Sequence, residues 1–586
     1  MFAAEDQLPK DAPLQGPPVP FLEASERSKL GPWKDLYLTL DLRSLALFRI
    51  LIASLLIVDW LIRWRYLGPF YSPLGVLPPN SGPLKTVFRT RSILNLATTA
   101  SGLEILFLIG LICYLFFLVG YRTKVFHVFS LVFFHSVLSR NHLILNGGDM
   151  VLLTMLVWSV FLPLGERFSI DCLKRISRKG HEELTSRSKS NGENKGRSAP
   201  SLAGLIVMAQ ITLIYFLSAV TKSGGTWRHG TALYYTLNID QISLPLGQWL
   251  AERPLWSLKI LTWGALGLEY AVLPLILLPF GQPLLRRIAI VGTTCLHLGI
   301  WLTLNIGTFP LVMISINAVL LDSALWDRAA SLRALTALPR QLWTVSEKFH
   351  SLSALIQCYA WNLLGRRDVL RRVKSNAVPP GPALFKGRKR FWRLSKPILS
   401  NASVAVIFIC VLIDSYNLNV APTLERRKIY EPTAMRAILW LTQLRHDWHL
   451  FAPNPIRVDG WFVFDGVTAA GQHVDPLTGR SPEWAEPLFL ASNNNRFWRK
   501  YLYALLQKKN RTYASYFAQY LVKKYEQEHM GEDRLVQLDF YFVLKRTLPP
   551  YSPKPFPTKL TKFYHMPETE NQMLTRDERL VVQNGP

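Results

Sequence analysis

Cysteine is scarce: five in 586 residues (Cys113, Cys172, Cys295, Cys358 and Cys410), mostly within apolar segments and none beyond Cys410. That argues against a disulfide framework and against a cysteine-based metal site. Carboxylates are also few, with 40 Asp and Glu against 67 Lys and Arg and a net charge of +27. Several chemical signatures are missing: no Walker A run, no dinucleotide fingerprint after a strand, no HExxH and no CxxC. His446 and His449 form an HxxH around Trp448 but lack further ligands, so no metal is expected there. The basic stretches lack the aromatic interleaving of RNA-binding surfaces, so no nucleic-acid partner is expected.

What the chain has in quantity is apolar sequence. Hydrophobic residues make up 49% and aromatics 12%, beside 18% charged residues, a mixture that fits long apolar spans joined by basic soluble stretches. A bilayer core takes about 20 apolar residues per helix. Runs of that kind lie near 45–65, 102–121, 124–139, 149–164, 202–222, 258–281, 287–304, 306–322 and 397–416. The expected fold class is mostly α: a polytopic helical membrane bundle of about nine transmembrane helices with a C-terminal soluble α/β module. The expected organisation is a Pro-rich disordered cytoplasmic tail over 1–40, a membrane domain over 41–325 and a basic cytoplasmic loop over 326–395. A last span over 396–416 and an extracytoplasmic module over 417–586 follow.

Lys and Arg orient the spans. The 165–201 loop carries Arg167, Lys174, Arg175, Arg178, Lys179, Arg187, Lys189, Lys195 and Arg197, and the 323–396 loop is as basic, with Arg366, Arg367, Arg371, Arg372 and Lys386–Arg390. With both loops cytoplasmic, nine spans leave the N-terminus inside the cell (inner) membrane and everything after Ser415 outside. The +27 is then the charge of inside loops near anionic headgroups. Residues 331–375 space Leu342, Val345, Phe349, Leu352 and Ile356 as a surface-lying amphipathic helix would, ending before Pro379-Pro380-Gly381-Pro382. Residues 179–200 read as a flexible linker. In the tail, Trp461–Gly466 and Ala470–Asp475 read as a hairpin, about 496–526 as a helix and Leu535–Leu544 as a strand.

Ionisable residues inside an apolar span are costly, so each is a functional candidate by default. Lys222 ends the fifth span, followed by Ser223-Gly224-Gly225-Thr226-Trp227. Held among apolar walls, its amine would serve as a general base; alternatively it snorkels to the headgroups. His297 lies well inside the seventh span and either supports chemistry or hydrogen-bonds a neighbouring helix. Arg140 and Asp149 could pair across the short turn holding Asn141 and Asn146, and Glu166 with Arg167 reads as an interfacial pair. Asn510-Arg511-Thr512 is a formal glycosylation sequon.

Four blocks together resemble the HTTM superfamily, which includes the vitamin K-dependent gamma-carboxylases and many bacterial relatives. They are Ile211–Lys222 (ITLIYFLSAVTK) with Trp227 and Gly230-Thr231-Ala232; Asn146-Gly147-Gly148-Asp149 with Phe161–Leu164 and Ser169-Ile170-Asp171; His297 with Asn305–Pro310; and Trp448–Pro455 with Asp459-Gly460-Trp461. The resemblance covers about 40–325 well and 435–480 moderately, and 326–395 has no counterpart. It implies a membrane enzyme using reduced vitamin K or menaquinol, a lipid quinol, with no metal. In the carboxylases the lysine matching Lys222 deprotonates the quinol. Oxygen then adds, giving the epoxide and a strong base that removes the γ-proton of a glutamate, whose carbanion takes up CO2. On this resemblance Lys222 and His297 are expected to be catalytic, and Asn146, Asp149, Trp227 and Asn305 to bind substrate, with a protein or peptide substrate possible on the outer face. The sequence departs from the carboxylases at one point: where they keep Asn-Asn-His, this chain reads Asn146-Gly147-Gly148, in the manner of the bacterial relatives. Two other readings stand beside the enzyme. One is a non-enzymatic membrane protein whose outer module binds a partner through Trp448, Phe451 and Trp461; the other is a transporter, which the absence of visible inverted repeats disfavours.

Overall fold

A computed structural model describes residues 36–78, 92–176, 200–331, 384–445, 447–487, 496–529, 533–552 and 557–566. The Pro-rich tail, the 179–200 linker, the amphipathic stretch of 331–375 with its terminating prolines, and His446 lie outside the described residues.

The chain is mostly helical. Helices α1 (Leu42–Trp64), α2 (Ala100–Val119), α3 (Thr123–Arg140) and α4 (Gly147–Ser159) open the bundle. They are followed by α5 (Leu202–Thr221), α6 (Leu255–Leu277), α7 (Leu284–Thr303) and α8 (Phe309–Ile316). A long α9 (Leu384–Ser415) leads to the C-terminal module. Local signals set the ends. Asp41 caps α1 through the Arg43 amide at 2.7 Å, and Asn146 and Asp149 close a reciprocal capping box on α4. Gly120 ends α2 with φ +69°, and a side chain there would collide with Ser169 and Arg49.

Of the nine expected spans, not all are found at full length. Among the described residues six helices are long and apolar enough to cross a membrane: α1, α2, α5, α6, α7 and Ser400–Thr423. A seventh is reached if Phe309–Leu320 and Ser323–Ala329, bent by 94° to each other, count as one span. The two expected spans that fall short do so for visible reasons. α4 has only 13 residues, and α3 carries Lys124, Arg140, His127 and His135 among its apolar residues. Both still run between the same two faces of the bundle as their neighbours. The α3 start meets Asp171 through the Thr123 amide and its Arg140 end meets the carbonyls of Ser72 and Leu77. α4 is almost wholly buried from Val151 to Ser159, so protein surrounds it where lipid surrounds the others. In contrast, α2 turns Ile105, Leu108, Ile112 and Leu115 outward, and α6 turns out Trp256, Ile260 and Trp263, faces that only a hydrocarbon environment suits.

The ends of the helices gather at two opposite faces. At one, Arg43 meets Asp327, Ser44 bonds the Leu321 carbonyl, Arg287 pairs with Asp322 and the Leu202 amide donates to Asn401. The opposite face receives the module. There β1 (Val458–Thr468), β2 (His473–Val474), β3 (Leu535–Arg546) and β4 (Thr558–Met566) form an antiparallel sheet in the order β2-β1-β3-β4. The sheet packs on α10 (Arg496–Leu506) and α11 (Thr512–Glu528). The hairpin and third strand expected from alternation are therefore present, while the single expected helix is two helices broken near Lys508–Asn510. Gly460 is required in β1, where a Cβ would stand 1.9 Å from the Val543 carbonyl oxygen. Trp448 and Trp461 are buried, which removes them from the exposed contact set of the partner-binding reading.

The module shares its core with the bundle. Phe70, just beyond α1, meets Trp498 and Tyr501 of α10 at ring distances of 4.7 and 5.8 Å. Beside this contact lies a closed ionic cluster. Arg63 bonds Asp59 one turn back at 2.5 Å, Asp149 at 2.8 Å and the Tyr71 hydroxyl at 2.9 Å, while Arg496 from the module pairs with the other oxygen of Asp59. Arg63, Asp59 and Asp149 are at most 2% exposed. Two expected pairings are thereby corrected. Asp149 pairs with Arg63 and not with Arg140, because the α4 N-terminus points its carboxylate at α1. Glu166 pairs with Arg175, which the helical turn after Ser169 carries back towards it, and not with Arg167.

Candidate functional site

A cavity of about 460 Å³ lies between the bundle and the module, lined by both Lys222 and His297. That size falls within the range of small-molecule sites. Its apolar wall comes from Ile214, Ile300, Ile306, Phe309 and Met313, and its roof from Leu450, Phe451 and α10.

Lys222 is the C-cap of α5 and turns its side chain back into the protein, 4% exposed. Its Nζ donates to Ser218 Oγ at 2.8 Å and to both oxygens of Glu269, at 2.6 and 2.5 Å, and stands 5.0 Å from the Trp227 ring centre. The snorkelling alternative thus does not describe this lysine. Glu269 is the acid in the middle of α6. A bidentate, charge-assisted contact in a dry site is a strong one, and it gives the ammonium proton a carboxylate to move to.

His297 holds Tyr215 through a 2.9 Å contact between Nε2 and the phenol oxygen, and its Nδ1 has no hydrogen-bond partner. A buried polar nitrogen left unpaired in a cavity wall is an open position for a ligand group. It satisfies the helix-to-helix reading on one nitrogen and leaves the other for chemistry.

The remaining expected site residues divide. Asn146 lines the cavity, with its side chain tied to Asp149 at 2.9 Å and to the Gly148 amide at 2.8 Å. Asp149 is not on the wall: it belongs to the ionic cluster behind it. Trp227 also stands behind the wall, against Lys222, with its indole N–H donating to the Phe451 carbonyl at 3.0 Å. Asn305 contributes its carbonyl, which accepts from Arg499 Nη2 at 2.6 Å. Gly148 sits where a Cβ would lie 2.8 Å from the backbone of Phe309, so the position has no room for the carboxylases' histidine without moving α8. Among the described residues no three His, Cys, Asp or Glu gather to hold a metal ion.

The module completes the site. Asn454 accepts from the Thr226 amide at 3.0 Å and hydroxyl at 2.7 Å, and the Gly224 amide donates to the Pro453 carbonyl at 3.0 Å. The Gly224 position lies so close to Asn454 that any side chain would displace it. The turn after Lys222 is therefore held by the module's Phe451–Asn454 segment. From α10, Arg499 donates to the carbonyls of Gln241 and Asn305 at 2.6 Å each, and Tyr503 donates to Asp459 at 2.7 Å. Burial raises the Asp459 carboxyl against the hydrogen bonds from Tyr503 and Gln241 that lower it, and burial lowers the Arg499 guanidinium to about 10.

Sequence reasoning missed Glu269, Tyr215 and the α10 residues. Glu269 carried the same signal as Lys222, an ionisable residue inside an apolar run; the α10 residues carried none, because only the docking of the module brings them to the cavity.

A many-helix membrane bundle with a mainly apolar cavity under a soluble cap is the class that this geometry defines. Residues 37–326 match the HTTM domain family, so the chain is an HTTM-domain membrane protein, as the resemblance implied. No curated protein and no solved structure matches the chain.

Proposed function

We propose that this HTTM-domain protein is a multi-pass membrane enzyme that acts on a reduced quinone, in the manner of the vitamin K-dependent gamma-carboxylases, with Lys222 as general base. The observation that carries the reading is that the Lys222–Glu269 pair and His297, whose buried Nδ1 has no partner, line one apolar cavity. The residues fit the group. Apolar walls suit a quinone ring, and Lys222, Asn146 and His297 are the polar positions that would hold its oxygens. When bound, a quinol supplies an acidic hydroxyl and the reducing electrons that oxygen consumes.

The chain's own part is proton handling. Glu269 accepts the Lys222 proton, leaving a neutral amine facing the cavity; Ser218 fixes the amine's direction; Tyr215 orients His297. The module excludes water by roofing the cavity, which strengthens each of these contacts. The basic loops are placed in the cytoplasm and the module outside by the positive-inside rule. That arrangement needs an odd number of crossings, which seven spans and nine both provide.

The test is purified protein in nanodiscs with reduced vitamin K or menaquinol, oxygen and labelled CO2, following epoxide and incorporated label separately. Epoxide that depends on Lys222 is the expected result, and label on a glutamate would extend it to carboxylation. Equal turnover by wild type and Lys222→Ala overturns the assignment. Lys222→Arg is expected to fail as well, since a guanidinium keeps its proton.

A further inference from the structure

The cavity is polar at one end in a way that the lysine chemistry does not use. α10 presents three cations to it: Arg496, Arg499 and Lys500. Their partners differ. Arg496 is neutralised by Asp59. Arg499 is spent on two carbonyls, with the Asp459 carboxylate nearby. Lys500 makes no hydrogen bond or ion pair among the described residues, yet it lines the cavity.

Its surroundings are those of a lysine facing a hollow. The side chain is exposed and lines the cavity. Burial, reinforced by the Arg499 charge and opposed by the Asp149 carboxylate, pushes its amine below the ordinary lysine range. Around it the carboxylates Glu269, Asp459, Asp59 and Asp149 are matched by Lys222, Arg499, Arg496 and Arg63. One positive charge is left over, and it is Lys500. A partly desolvated cation without a counter-ion is costly, and a bound anion relieves that cost.

The cavity is also lined by the apolar side chains of Ile214, Ile300, Ile306 and Met313. We infer that the cavity takes an amphiphile carrying a single anionic group, a carboxylate or phosphate monoester, with that group at Lys500 and its apolar part along the isoleucine wall. This rests on the reading of the same cavity as a ligand site but goes beyond it, because a quinol carries no carboxylate or phosphate. It concerns binding, so it can fail while the Lys222 chemistry stands, and the reverse.

The experiment uses the full chain in phosphatidylcholine nanodiscs, with Lys222 intact, and a fluorescent long-chain fatty acid compared with its methyl ester. Wild type is expected to bind the acid at least about tenfold tighter than the ester, close to the 1.4 kcal/mol that a factor of ten represents. In Lys500→Gln the two should bind within about twofold of each other. The side chain is exposed and holds no protein partner, so the variant is expected to melt with wild type, which a thermal scan checks. Two competitors identify the source of the anion. Displacement by phosphatidylglycerol placed in the disc assigns a lipid headgroup, and displacement by butyl phosphate in the buffer assigns a water-borne one. No acid-to-ester preference in wild type, or the same preference in Lys500→Gln, overturns the inference.

Discussion

Two buried charge groups lie beneath the module, and they are built to different ends. In the cluster of Asp59, Arg63, Asp149 and Arg496, every charge faces an opposite charge, Tyr71 fills a remaining donor position and the residues from α1 and α4 are sealed from solvent. The pair of Lys222 and Glu269 has the same ion types and a similarly short contact, yet it opens on a cavity beside an unpaired imidazole nitrogen. The cluster ties one helix to another and the bundle to the module, and every carboxylate in it is answered by a guanidinium. The open pair retains a movable proton. Buried charge by itself therefore does not mark a functional site: what marks it is charge with an unfilled neighbour.

The largest effect expected from breaking this contrast is on turnover. Replacing Lys222 by Ala should lower quinol-dependent activity by at least about a hundredfold, the usual weight of a general base. The double variant Lys222→Ala/Glu269→Gln removes both charges together and should melt near wild type, which separates chemistry from folding. Asp59→Asn should do the opposite. It leaves Arg63 and Arg496 short of a counter-charge and should cost about 3–5 kcal/mol of stability, read as a lowered melting temperature in detergent and faster proteolysis of the module. If Asp59→Asn abolished turnover while leaving the melt unchanged, the division between the two groups would be wrong.

A smaller effect tests the packing that surrounds the open pair. Gly148→Ala places a Cβ against the Phe309 backbone and should cost about 1–3 kcal/mol as an overpacking change, measurable by the same melt. The smallest effect lies in the module, away from both groups. Burial would raise the Asp539 carboxyl, but Lys562 at 2.9 Å and His565 at 2.6 Å, with Gln537, hold it below the usual range. A carboxyl held low in the folded state adds stability above its unfolded value and loses it as pH falls through the folded one. Both partners are about half exposed, so the loss on acidification, and in Asp539→Asn at neutral pH, should stay under about 1 kcal/mol. Urea melts of wild type between neutral and acid pH should show that slope, and the variant should flatten it.

Much of this site was legible before any coordinates. Lys222 and His297 stand out because each interrupts an apolar run, and the cavity holds both. Glu269, Asp59 and Arg63 interrupt apolar runs in the same way, and their pairing explains why the membrane tolerates them. Asp149 was singled out for its place after Asn146, which is a capping-box signal as well as a functional one, and the structure uses it for the cap and the ionic cluster. α3 and α4 fall short of full apolar spans, α3 through its charged residues and histidines and α4 through its 13-residue length, and protein surrounds most of α4.

By itself the sequence determined that this is a membrane protein of the HTTM kind, where its longest spans fall, three of the module's four strands, and which lysine is suspect. Those are properties of local runs, set by the transfer of apolar side chains out of water and by the alternation of a half-buried strand. The tertiary structure alone decided that Glu269 answers Lys222, that Arg496 closes the cluster on Asp59 and that Lys500 faces the cavity uncompensated. These pairs join residues tens to hundreds of positions apart, and the free energy of a buried charge depends on what stands opposite it across the packed interior.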